Sequence, residues 1–363
     1  MGLSVGLVGL PNAGKSSLFV ALTRAAVAVA PYPFTTVEPH RGVVPVPDPR
    51  LEAIAAVTRP ARVVPATVEV VDIAGLVRGA HRGEGLGNQF LAHIRDVDAL
   101  AHVVRCFAAP DVPHVDGAPD PRRDLEVVDL ELALADLATV EREWERVRSR
   151  ARLRDPAAGA AAEVLEQVRD ALQRGVPIRR LPPDPRRDEV LRPLRLLTAK
   201  PVVYVANVAD DDLPDAPSAD PVRRYAQELE APVVVLSARL EMEAAALAAD
   251  EAAQVLAAYG VTEPGLQQLV RVAYRLLGLV TFFTTASHEV RAWPVPAGTT
   301  APQAAGRIHS DMERGFIRAE VVGWDELVAA GSLPAARERG LVHLEGRSYV
   351  VRDGDVILFR FAV

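Results

Sequence analysis

The first residues of the chain show a pattern that predicts a strand, a turn and a helix. The run "LSVGLV" (3–8) is apolar and rich in β-branched residues, and a helical pattern follows from Lys15 to Thr23. Comparable strand-like runs follow at 66–71, 100–105, 201–206 and 232–237. Helical patterns lie between these runs, and this alternation predicts an α/β domain with a mostly parallel sheet.

The alternation of strands and helices is interrupted at about residues 123–200. Apolar residues recur there at steps of three and four, as they do on one face of a long helix. They are Leu130, Leu134, Leu137, Val140, Trp144 and Val147, and, after a break at "RDPAAG", Leu165, Val168 and Leu172. We predict two antiparallel helices that form a hairpin inserted into the α/β domain, which then covers 1–122 and 201–280.

The pattern changes once more after a helix that ends near Gly278. "TFFTTASHEVRAW" alternates like a pair of strands, and "YVVRDGDVILFRF" reads as two strands around a glycine turn. We predict a small, separate α+β domain at 281–363.

A phosphate-binding motif joins the first strand to the first helix. "GLPNAGKSS" matches G-x-x-x-x-G-K-[ST] with Gly9, Gly14, Lys15 and Ser16. In this motif, backbone N–H groups and a helix N-terminus hold phosphate oxygens, the lysine reaches the β- and γ-phosphates, and the serine ligates Mg²⁺. The only other lysine among the 41 basic residues is Lys200, so chance does not readily explain Lys15.

A second motif supports a triphosphate that carries a metal ion. "VVDIAGL" reads as Asp-x-x-Gly at the end of a strand, so we expect Asp72 to hold Mg²⁺ through water and the N–H of Gly75 to face the γ-phosphate. Thr36 lies in a loop after Ser16, where a threonine could complete the Mg²⁺ shell. The assignment of Thr36 depends on the family resemblance.

Four stretches of the chain together resemble the YchF subfamily of Obg-like P-loop NTPases. They are "GLPNAGKSSLF", "PYPFTT", "DIAGLVRGAHRGEGLGNQFL" and "APQAAGRIHSDMERGFIRAEV", and the last two are specific to that subfamily. The resemblance extends over essentially the whole chain. It implies a Ras-like nucleotide domain, the inserted helical arm and a C-terminal TGS domain of the β-grasp type. It also implies ATPase activity and association with the ribosome, chiefly with its large subunit.

The resemblance assigns residues to the nucleotide site. The residues around the phosphates would be Asn12, Ala13, Gly14, Lys15, Ser16 and Ser17. Ser16 and Thr36 would ligate Mg²⁺, and Asn207 and Val208 would contact the base. Asn12 also stands where some relatives in this NTPase class place a ligand for K⁺. We therefore predict turnover that K⁺ stimulates, and equal rates in Na⁺ and K⁺ would contradict this prediction.

The position after Asp-x-x-Gly lacks the glutamine that orients water in Ras-like GTPases. It is Leu76, as the family shows, so we expect slow intrinsic hydrolysis. His114 is the best replacement in the chain, and the family's proposals point to the same position, because an imidazole can orient water or accept its proton. The predicted catalytic residues are thus Lys15, Gly75 and His114. The alternative for His114 is a solvated loop histidine, and His81 receives no role.

The stretch "YVANVADDDL" bears on which purine is bound. It resembles the guanine-reading Asn-Lys-x-Asp, with Asn207 and Asp210 in place and Val208 instead of the lysine. A carboxylate accepts hydrogen bonds from guanine N1–H and N2–H and repels adenine N1. The family usually has Glu at the position of Asp210. The resemblance therefore favours ATP, whereas Asp210 favours GTP. Ser237 and Ala238 resemble a loop that supports either base.

The charge pattern predicts a nucleic-acid contact on one face only. The net charge is −7, so the chain as a whole is not an obvious polyanion binder. Five arginines and no acidic residue lie between Arg146 and Arg154, at the tip of the predicted hairpin, and four more follow at Arg179, Arg180, Arg186 and Arg187. We predict that the arm docks on ribosomal RNA through phosphate contacts, with a solvated helix end as the alternative.

Composition sets the remaining limits. Hydrophobic residues make up 49% and charged residues 25%, as in ordinary globular proteins. No uncharged run is long enough to span a bilayer, the N-terminus lacks a basic leader, and the single cysteine, Cys106, fits a reducing compartment. We expect a cytoplasmic protein without a membrane partner.

Three functions are compatible with these patterns. The favoured one is a Mg²⁺-dependent nucleoside triphosphatase that prefers ATP and acts as a regulatory switch on the large ribosomal subunit. The second is a GTP-specific GTPase that uses Asp210 to read guanine. The third is a nucleotide-sensing, ribosome-binding module with negligible turnover, which the substitution at Leu76 favours.

Overall fold

The computed structural model describes residues 3–26, 39–73, 79, 86–109, 111–151, 155–285 and 288–362. Their contacts divide the chain into two compact units. The first unit comprises 3–43 and 69–273, and the second comprises 44–68 and 274–363. Thr36, Gly75, Leu76 and His81 lie outside the described residues.

The strands, in chain order, are β1 (Ser4–Val8), β2 (His40–Pro45), β3 (Arg62–Val64), β4 (Thr67–Asp72), β5 (Ala99–Arg105), β6 (Val202–Asn207), β7 (Val233–Leu236), β8 (Leu279–Thr284), β9 (Glu289–Pro296), β10 (Phe316–Gly323), β11 (His343–Glu345) and β12 (Asp355–Phe361). The helices are α1 (Lys15–Ala26), α2 (Pro49–Thr58), α3 (Leu86–Asp96), α4 (Pro121–Ala151), α5 (Pro156–Gln173), α6 (Pro185–Leu191), α7 (Asp220–Glu228), α8 (Ala238–Ala244), α9 (Ala249–Ala258), α10 (Gly265–Leu276), α11 (Ala301–Ile308), α12 (Ser310–Arg314), α13 (Trp324–Ala330) and α14 (Leu333–Glu338).

The first unit is built on a largely parallel sheet in the order β2-β4-β1-β5-β6-β7. β1 runs parallel to β4 and β5, β5 to β6, and β6 to β7. Every residue of β1, β5 and β6 is buried, because helices cover both faces of a parallel sheet. The predicted α/β sheet is therefore confirmed. Its parallel strands end at one edge, and that edge carries the candidate site.

The inserted arm consists of α4 and α5, which pack together along an apolar seam that includes Val140, Val147, Leu165 and Val168. The predicted apolar face is wrong in its first part, because Leu130 is 56% exposed. The first half of α4 buries a different face, which includes Leu125, Val128 and Leu132, in the core of the α/β sheet. Because α4 contributes to two different cores, its buried residues do not follow a single stripe along the helix.

A buried carboxylate anchors the arm to the segment that returns to the sheet. Asp136 of α4 accepts hydrogen bonds from the backbone N–H of Leu197 at 2.8 Å and of Thr198 at 2.7 Å, and from Thr198 Oγ1 at 2.7 Å. Three donors compensate for the burial of a charged group, which would otherwise be costly.

The second unit contains a mixed sheet in the order β11-β10-β12-β8-β9-β3 over a core that includes Phe282, Phe316 and Phe359. β8 and β9 form the predicted antiparallel pair. The second predicted pair is only half present, because β12 follows the glycine turn, whereas Val350 before it forms only an isolated bridge with Thr300.

The segment 44–68 belongs to a different unit from the one that the sequence predicts. The sequence pattern predicts residues 44–68 within the α/β domain, but they group with the C-terminal residues. The reason is pairing: β3 adds a parallel strand beside β9, with Val63 opposite Val290, and Arg50 forms an ion pair with Asp353 at 2.8 Å. Such contacts between distant segments leave no periodic trace in the sequence.

Candidate nucleotide site

The turn between β1 and α1 has the backbone geometry of a phosphate-binding loop. Gly9, Asn12 and Gly14 adopt positive φ angles of 147°, 62° and 98°. A Cβ at Gly9 would lie 2.3 Å from the carbonyl oxygen of Val103, and a Cβ at Gly14 would lie 2.2 Å from Nδ2 of Asn207. Glycine is therefore required at both ends of the loop, and α1 starts at Lys15 with its N–H groups directed toward the loop.

Lys15 lies inside this loop. Its Nζ donates hydrogen bonds to the carbonyl oxygens of Leu10 at 2.9 Å and Gly9 at 3.1 Å, and the residue is 6% exposed. Burial lowers the pKa of Lys15 to about 8, while the negative charge of Asp72 opposes this shift. A phosphate group beside Nζ would favour the charged form of the lysine. Ser16, the next residue, is exposed, and Ser17 is partly buried.

The donor set beside Lys15 fits Mg²⁺. Asp72 ends β4 and pairs with Leu7 of β1, so its side chain lies at the same sheet edge as the loop. Its Oδ1 is buried and has no hydrogen-bond partner in the described parts of the chain, as expected for an oxygen that takes a ligand. Carboxylate and hydroxyl oxygens suit Mg²⁺, which keeps several waters and phosphate oxygens in its shell. Asp72 and the exposed Ser16 would hold it.

His114 is held in a buried contact that sequence reasoning missed. Its Nδ1 accepts a hydrogen bond from the N–H of Asp116 at 3.2 Å, so the ring proton resides on Nε2, which donates to Oδ2 of Asp124 at 2.9 Å. The His114 side chain is only 2% exposed. Burial raises the pKa of Asp124, and the bond from His114 opposes that shift. In this arrangement His114 is not the solvated loop histidine of the alternative reading.

The loop that carries His114 is tied to the sheet and to the phosphate loop. The guanidinium group of Arg105 donates to the carbonyl oxygens of Val112 at 3.0 Å, Ala109 at 3.1 Å and Phe107 at 3.2 Å. Asn12 Nδ2 donates to the carbonyl oxygen of Pro113 at 3.0 Å. Asn12, predicted as a K⁺ ligand, therefore also connects the phosphate loop to the residue before His114.

Asn207 joins the phosphate loop to the predicted base loop. Its Nδ2 donates to the carbonyl oxygen of Ala13 at 3.0 Å, and its Oδ1 accepts from the N–H of Ala238 at 2.9 Å. Val208, by contrast, is 2% exposed and lies in the apolar core. Its position does not favour the predicted contact between this side chain and a base.

Asp210 is already paired. Its Oδ1 accepts a short hydrogen bond from Ser237 Oγ, and its Oδ2 accepts from Arg239 Nε at 2.7 Å and also from Arg239 Nη2. Asp210 is 4% exposed, whereas the Arg239 side chain is 72% exposed. Ser237 also caps α8, since its Oγ accepts from the N–H of Leu240 at 3.3 Å. Asp210 and Ser237 are predicted from the sequence as parts of the base loop, whereas Arg239 is not.

The arginines of the arm differ in what they contact. Arg146 and Arg150 are mostly exposed, although they pair with Glu143 and Asp155. Arg148 and Arg169 both lie over the ring of Trp144, 4.7 and 4.6 Å from its centroid. Arg152 and Arg154 belong to the part of the chain that is not described. Arg179 is largely buried and pairs with Asp129, so this member of the second arginine group is a packing residue.

Other members of the second group are also partly engaged. Arg180 pairs with Glu230, and Arg187 is 13% exposed next to Asp188, whereas Arg186 is exposed. The tip of the arm is therefore a better candidate for a nucleic-acid contact than the 179–187 segment.

Two further observations concern membrane-spanning helices and metal-binding clusters. None of the helices in the described ranges has both the length and the apolar character that a membrane crossing requires. Within the same ranges, no cluster of three or more His, Cys, Asp or Glu side chains could bind a metal ion by itself. A metal held by one carboxylate, one hydroxyl and phosphate oxygens does not need such a cluster.

Known proteins resemble this chain over its full length. A family described as 50S ribosome-binding GTPase matches residues 4–133, and the YchF-GTPase C-terminal family, described as a protein of unknown function, matches 279–362. A Haemophilus ducreyi protein named ribosome-binding ATPase YchF is 48% identical over 363 residues, with 100% of both chains covered. A Bacillus subtilis protein of the same name is 47% identical over 367 residues, again with 100% of both chains covered.

A solved structure agrees with these relatives. The structure described as the Schizosaccharomyces pombe YchF GTPase has a TM-score of 0.87 and 34% sequence identity, and the match covers 99% of this chain and 98% of that one. It therefore includes the sheet, the helical arm and the C-terminal unit. Similarity of this extent, at the level of both sequence and fold, shows that the chain belongs to the YchF family of P-loop NTPases.

Proposed function

We propose that this chain is a Mg²⁺-dependent nucleoside triphosphatase that favours ATP and acts in the cytoplasm as a ribosome-associated regulatory switch. The observation that carries the proposal is the loop 9–14, in which two glycines, the left-handed Asn12 and the buried Lys15 form a phosphate cradle at the start of α1. Such a cradle binds the phosphates through backbone N–H groups and a single cation.

When phosphate binds, its oxygens would replace the loop carbonyl oxygens as hydrogen-bond acceptors of Lys15 Nζ. Its Nζ donates to two loop carbonyls, and phosphate oxygens are stronger acceptors because they carry charge. Ser16 and Asp72 would hold Mg²⁺, which when bound neutralises charge that develops on the β- and γ-phosphates. Thr36 as a further metal ligand and the N–H of Gly75 as a γ-phosphate contact remain predictions, as does the K⁺ ligand at Asn12.

Hydrolysis would depend on the loop that carries His114. The contact between His114 and Asp124 keeps the imidazole away from solvent, which agrees with slow basal turnover. A shift of residues 107–117 would break this contact and make Nε2 available to a water molecule. We therefore propose His114 as the group that orients the attacking water once a partner has moved the loop.

The pairing of Asp210 supports ATP rather than GTP. A guanine-reading carboxylate must accept two hydrogen bonds from the base, but the two oxygens of Asp210 already accept from Ser237 and Arg239. Val208, which stands in place of the lysine that packs on guanine, is buried in the core. These two features make a GTP-specific GTPase the less favoured reading.

Association with the ribosome is proposed from the relatives' names and from the arm. The relatives are named ribosome-binding ATPases, and the matching family is described as 50S ribosome-binding. Arg146 and Arg150 are exposed at the tip of α4, where they could contact ribosomal RNA of the large subunit. A module that senses nucleotide without turnover is the second candidate, because His114 is held by Asp124.

The test is a comparison of binding and turnover. The purified chain should retain a nucleotide that mass spectrometry identifies as adenine-based. Labelled ATP should bind more than tenfold more tightly than GTP in Mg²⁺, because unpaired polar groups in a site strongly disfavour the wrong base. Phosphate release should rise when ribosomes are added. A negligible basal rate that ribosomes leave unchanged would favour the binding module, and failure to retain any triphosphate would overturn the proposal.

A further inference from the structure

We propose that Arg239 sets the base preference of this chain by occupying the carboxylate of Asp210. The pair would present N–H donors to a purine at the position where a GTPase presents a free acceptor. The inference rests on the proposed function, because it concerns the base pocket of the same nucleotide site.

The contact between the two side chains is specific. Arg239 donates from two of its nitrogens, Nε and Nη2, to the same oxygen, Oδ2 of Asp210. The second oxygen is held by Ser237 Oγ, so both oxygens of the carboxylate have a donor. Asp210 is 4% exposed, and a buried carboxylate needs hydrogen-bond donors or a charge partner to offset its loss of hydration.

The position of Arg239 is fixed relative to the phosphate loop. Arg239 lies in the first turn of α8, and Ser237 caps that helix. The preceding residue, Ala238, donates its N–H to Asn207, and Asn207 donates to Ala13 in the phosphate loop. A chain of backbone and side-chain hydrogen bonds thus places the Arg239–Asp210 pair beside the loop that would hold the triphosphate.

The chemistry of the two purines explains the expected preference. Guanine offers N1–H and N2–H donors, which require acceptors, whereas adenine offers N1 as an acceptor. Guanine would have to displace the guanidinium group from a buried carboxylate, and this would leave charge-assisted hydrogen bonds unmade. Adenine would not have to break this contact. Arg239 binds Asp210 through Nε and Nη2, so its Nη1 could donate a hydrogen bond to N1 of adenine.

A purely structural ion pair would behave differently. The Arg239 side chain is 72% exposed, whereas its partner Asp210 is buried. If the pair only stabilises the loop, its removal should weaken the binding of ATP and GTP by the same factor. A specificity role changes the ratio of the two affinities, which is the quantity to measure.

The experiment titrates labelled ATP and GTP into the full-length chain in Mg²⁺. The wild-type chain should prefer ATP, and Arg239→Ala should lower the ATP-to-GTP affinity ratio at least about tenfold, chiefly by tightening GTP. Arg239→Lys keeps a positive charge without the planar fork, and it should retain more of the preference. The double variant Asp210→Ala/Arg239→Ala should lose the gain in GTP affinity, because that gain requires the carboxylate.

Controls separate this inference from the proposed function and from loss of folding. Arg122→Ala removes a bidentate pair with Glu228 elsewhere in the same unit and should leave the ratio unchanged. Thermal unfolding of each variant shows whether it is folded. An unchanged ratio in Arg239→Ala, with ATP preferred by the wild type, overturns the inference and leaves the proposed function intact. A wild-type chain that prefers GTP, or binds neither nucleotide, overturns both.

Discussion

At the scale of the residue, Gly14 shows how closely the phosphate loop and the base loop approach each other. A side chain at Gly14 would collide with Asn207 Nδ2, whose hydrogen bond to Ala13 joins the two loops. The position also has a φ of 98°, which favours glycine. The glycine of the motif is therefore required for the backbone conformation and for space.

We predict that Gly14→Ala abolishes nucleotide binding and destabilises the fold. The matched control is Gly298→Ala, because Gly298 has a similar φ of 87° but no atom within 4 Å of a Cβ. The control should lose only about 1 kcal/mol of unfolding free energy, from backbone strain, and should bind nucleotide normally. Isothermal titration with ATP and urea denaturation measure both effects. Normal ATP affinity in Gly14→Ala would contradict the role of the loop.

His102 is a second residue whose surroundings have a measurable consequence. It is 2% exposed on β5, and its ring lies 5.5 Å from that of Tyr204. Burial lowers the pKa of His102 from 6.5 to about 4, while Asp129 opposes the shift and the positive charges of Arg179 and Lys15 add to it. The native state therefore keeps this imidazole neutral at pH values where the unfolded chain protonates it.

We predict that His102 makes the fold sensitive to acid. Between pH 6.5 and about 4 the unfolded chain binds the extra proton, so stability falls as the pH falls, by up to about 3 kcal/mol from this group. His102→Leu should reduce the loss of unfolding free energy between pH 7 and pH 4.5, as measured by urea denaturation. His343→Leu, at an exposed position, should not. An identical pH profile for wild type and His102→Leu would contradict the assignment.

At the scale of the element, α4 connects the arm to two loops of the site. Asp124 in its first turn accepts from His114, and Glu131, two turns further on, accepts from the N–H of Gly79 at 2.8 Å. Gly79 lies a few residues beyond the Asp72 motif. A displacement of the first half of α4 would therefore alter both contacts at once.

We predict that Asp124→Ala raises basal ATP hydrolysis severalfold, because it removes the acceptor that keeps His114 buried. The control on the same helix is Glu126→Ala, which lies on the exposed face and pairs with Arg122. Its turnover should match that of the wild type. Both are measured as phosphate release at saturating ATP.

A double variant makes the interpretation of Asp124→Ala unambiguous. If His114 orients water, Asp124→Ala/His114→Ala should lose the increase, and His114→Ala alone should lower the ribosome-stimulated turnover at saturating ATP. An increase that survives in the double variant would show that His114 does not act on the water.

At the scale of the whole molecule, the arm combines a buried anchor with a charged tip. Asp136 holds the middle of α4 to the segment that returns to the sheet, and Arg146, Arg148 and Arg150 lie near the far end of the helix. The net charge of −7 confines any attraction to polyanions to such local groups. The tip is thus the part of the first unit best suited to a phosphate backbone.

We predict that replacing Arg146, Arg148 and Arg150 with glutamine weakens co-sedimentation with ribosomes. Loss of up to three phosphate contacts should reduce the slope of log affinity against log salt by about 2. The matched control replaces three arginines of the second unit, Arg314, Arg337 and Arg360, which form ion pairs with acidic neighbours. An unaltered salt dependence in the arm variant would contradict an electrostatic contact at the tip.

The features that could be predicted from the sequence are those that depend on residues close together in the chain. The parallel sheet followed from alternating elements, and the cradle around Lys15 followed from a motif of consecutive residues. The contacts of Asp124 with His114 and of Arg239 with Asp210 could not be predicted, because charged residues on exposed helices are usually solvated. The packing of α4 brings Asp124 to the buried His114, and the packing of α8 brings Arg239 to the buried Asp210.

The amino-acid pattern therefore predicts the type and order of most elements and the place of the phosphate-loop motif around Lys15. Hydrophobic periodicity and glycine placement act over a few residues, and the backbone responds to them directly. Long-range packing instead places residues 44–68 in the second unit, leaves Leu130 exposed to solvent and pairs Asp210 with Ser237 and Arg239. These outcomes depend on contacts between segments that are far apart in the sequence. Polar groups that become buried in such contacts need hydrogen-bond or charge partners.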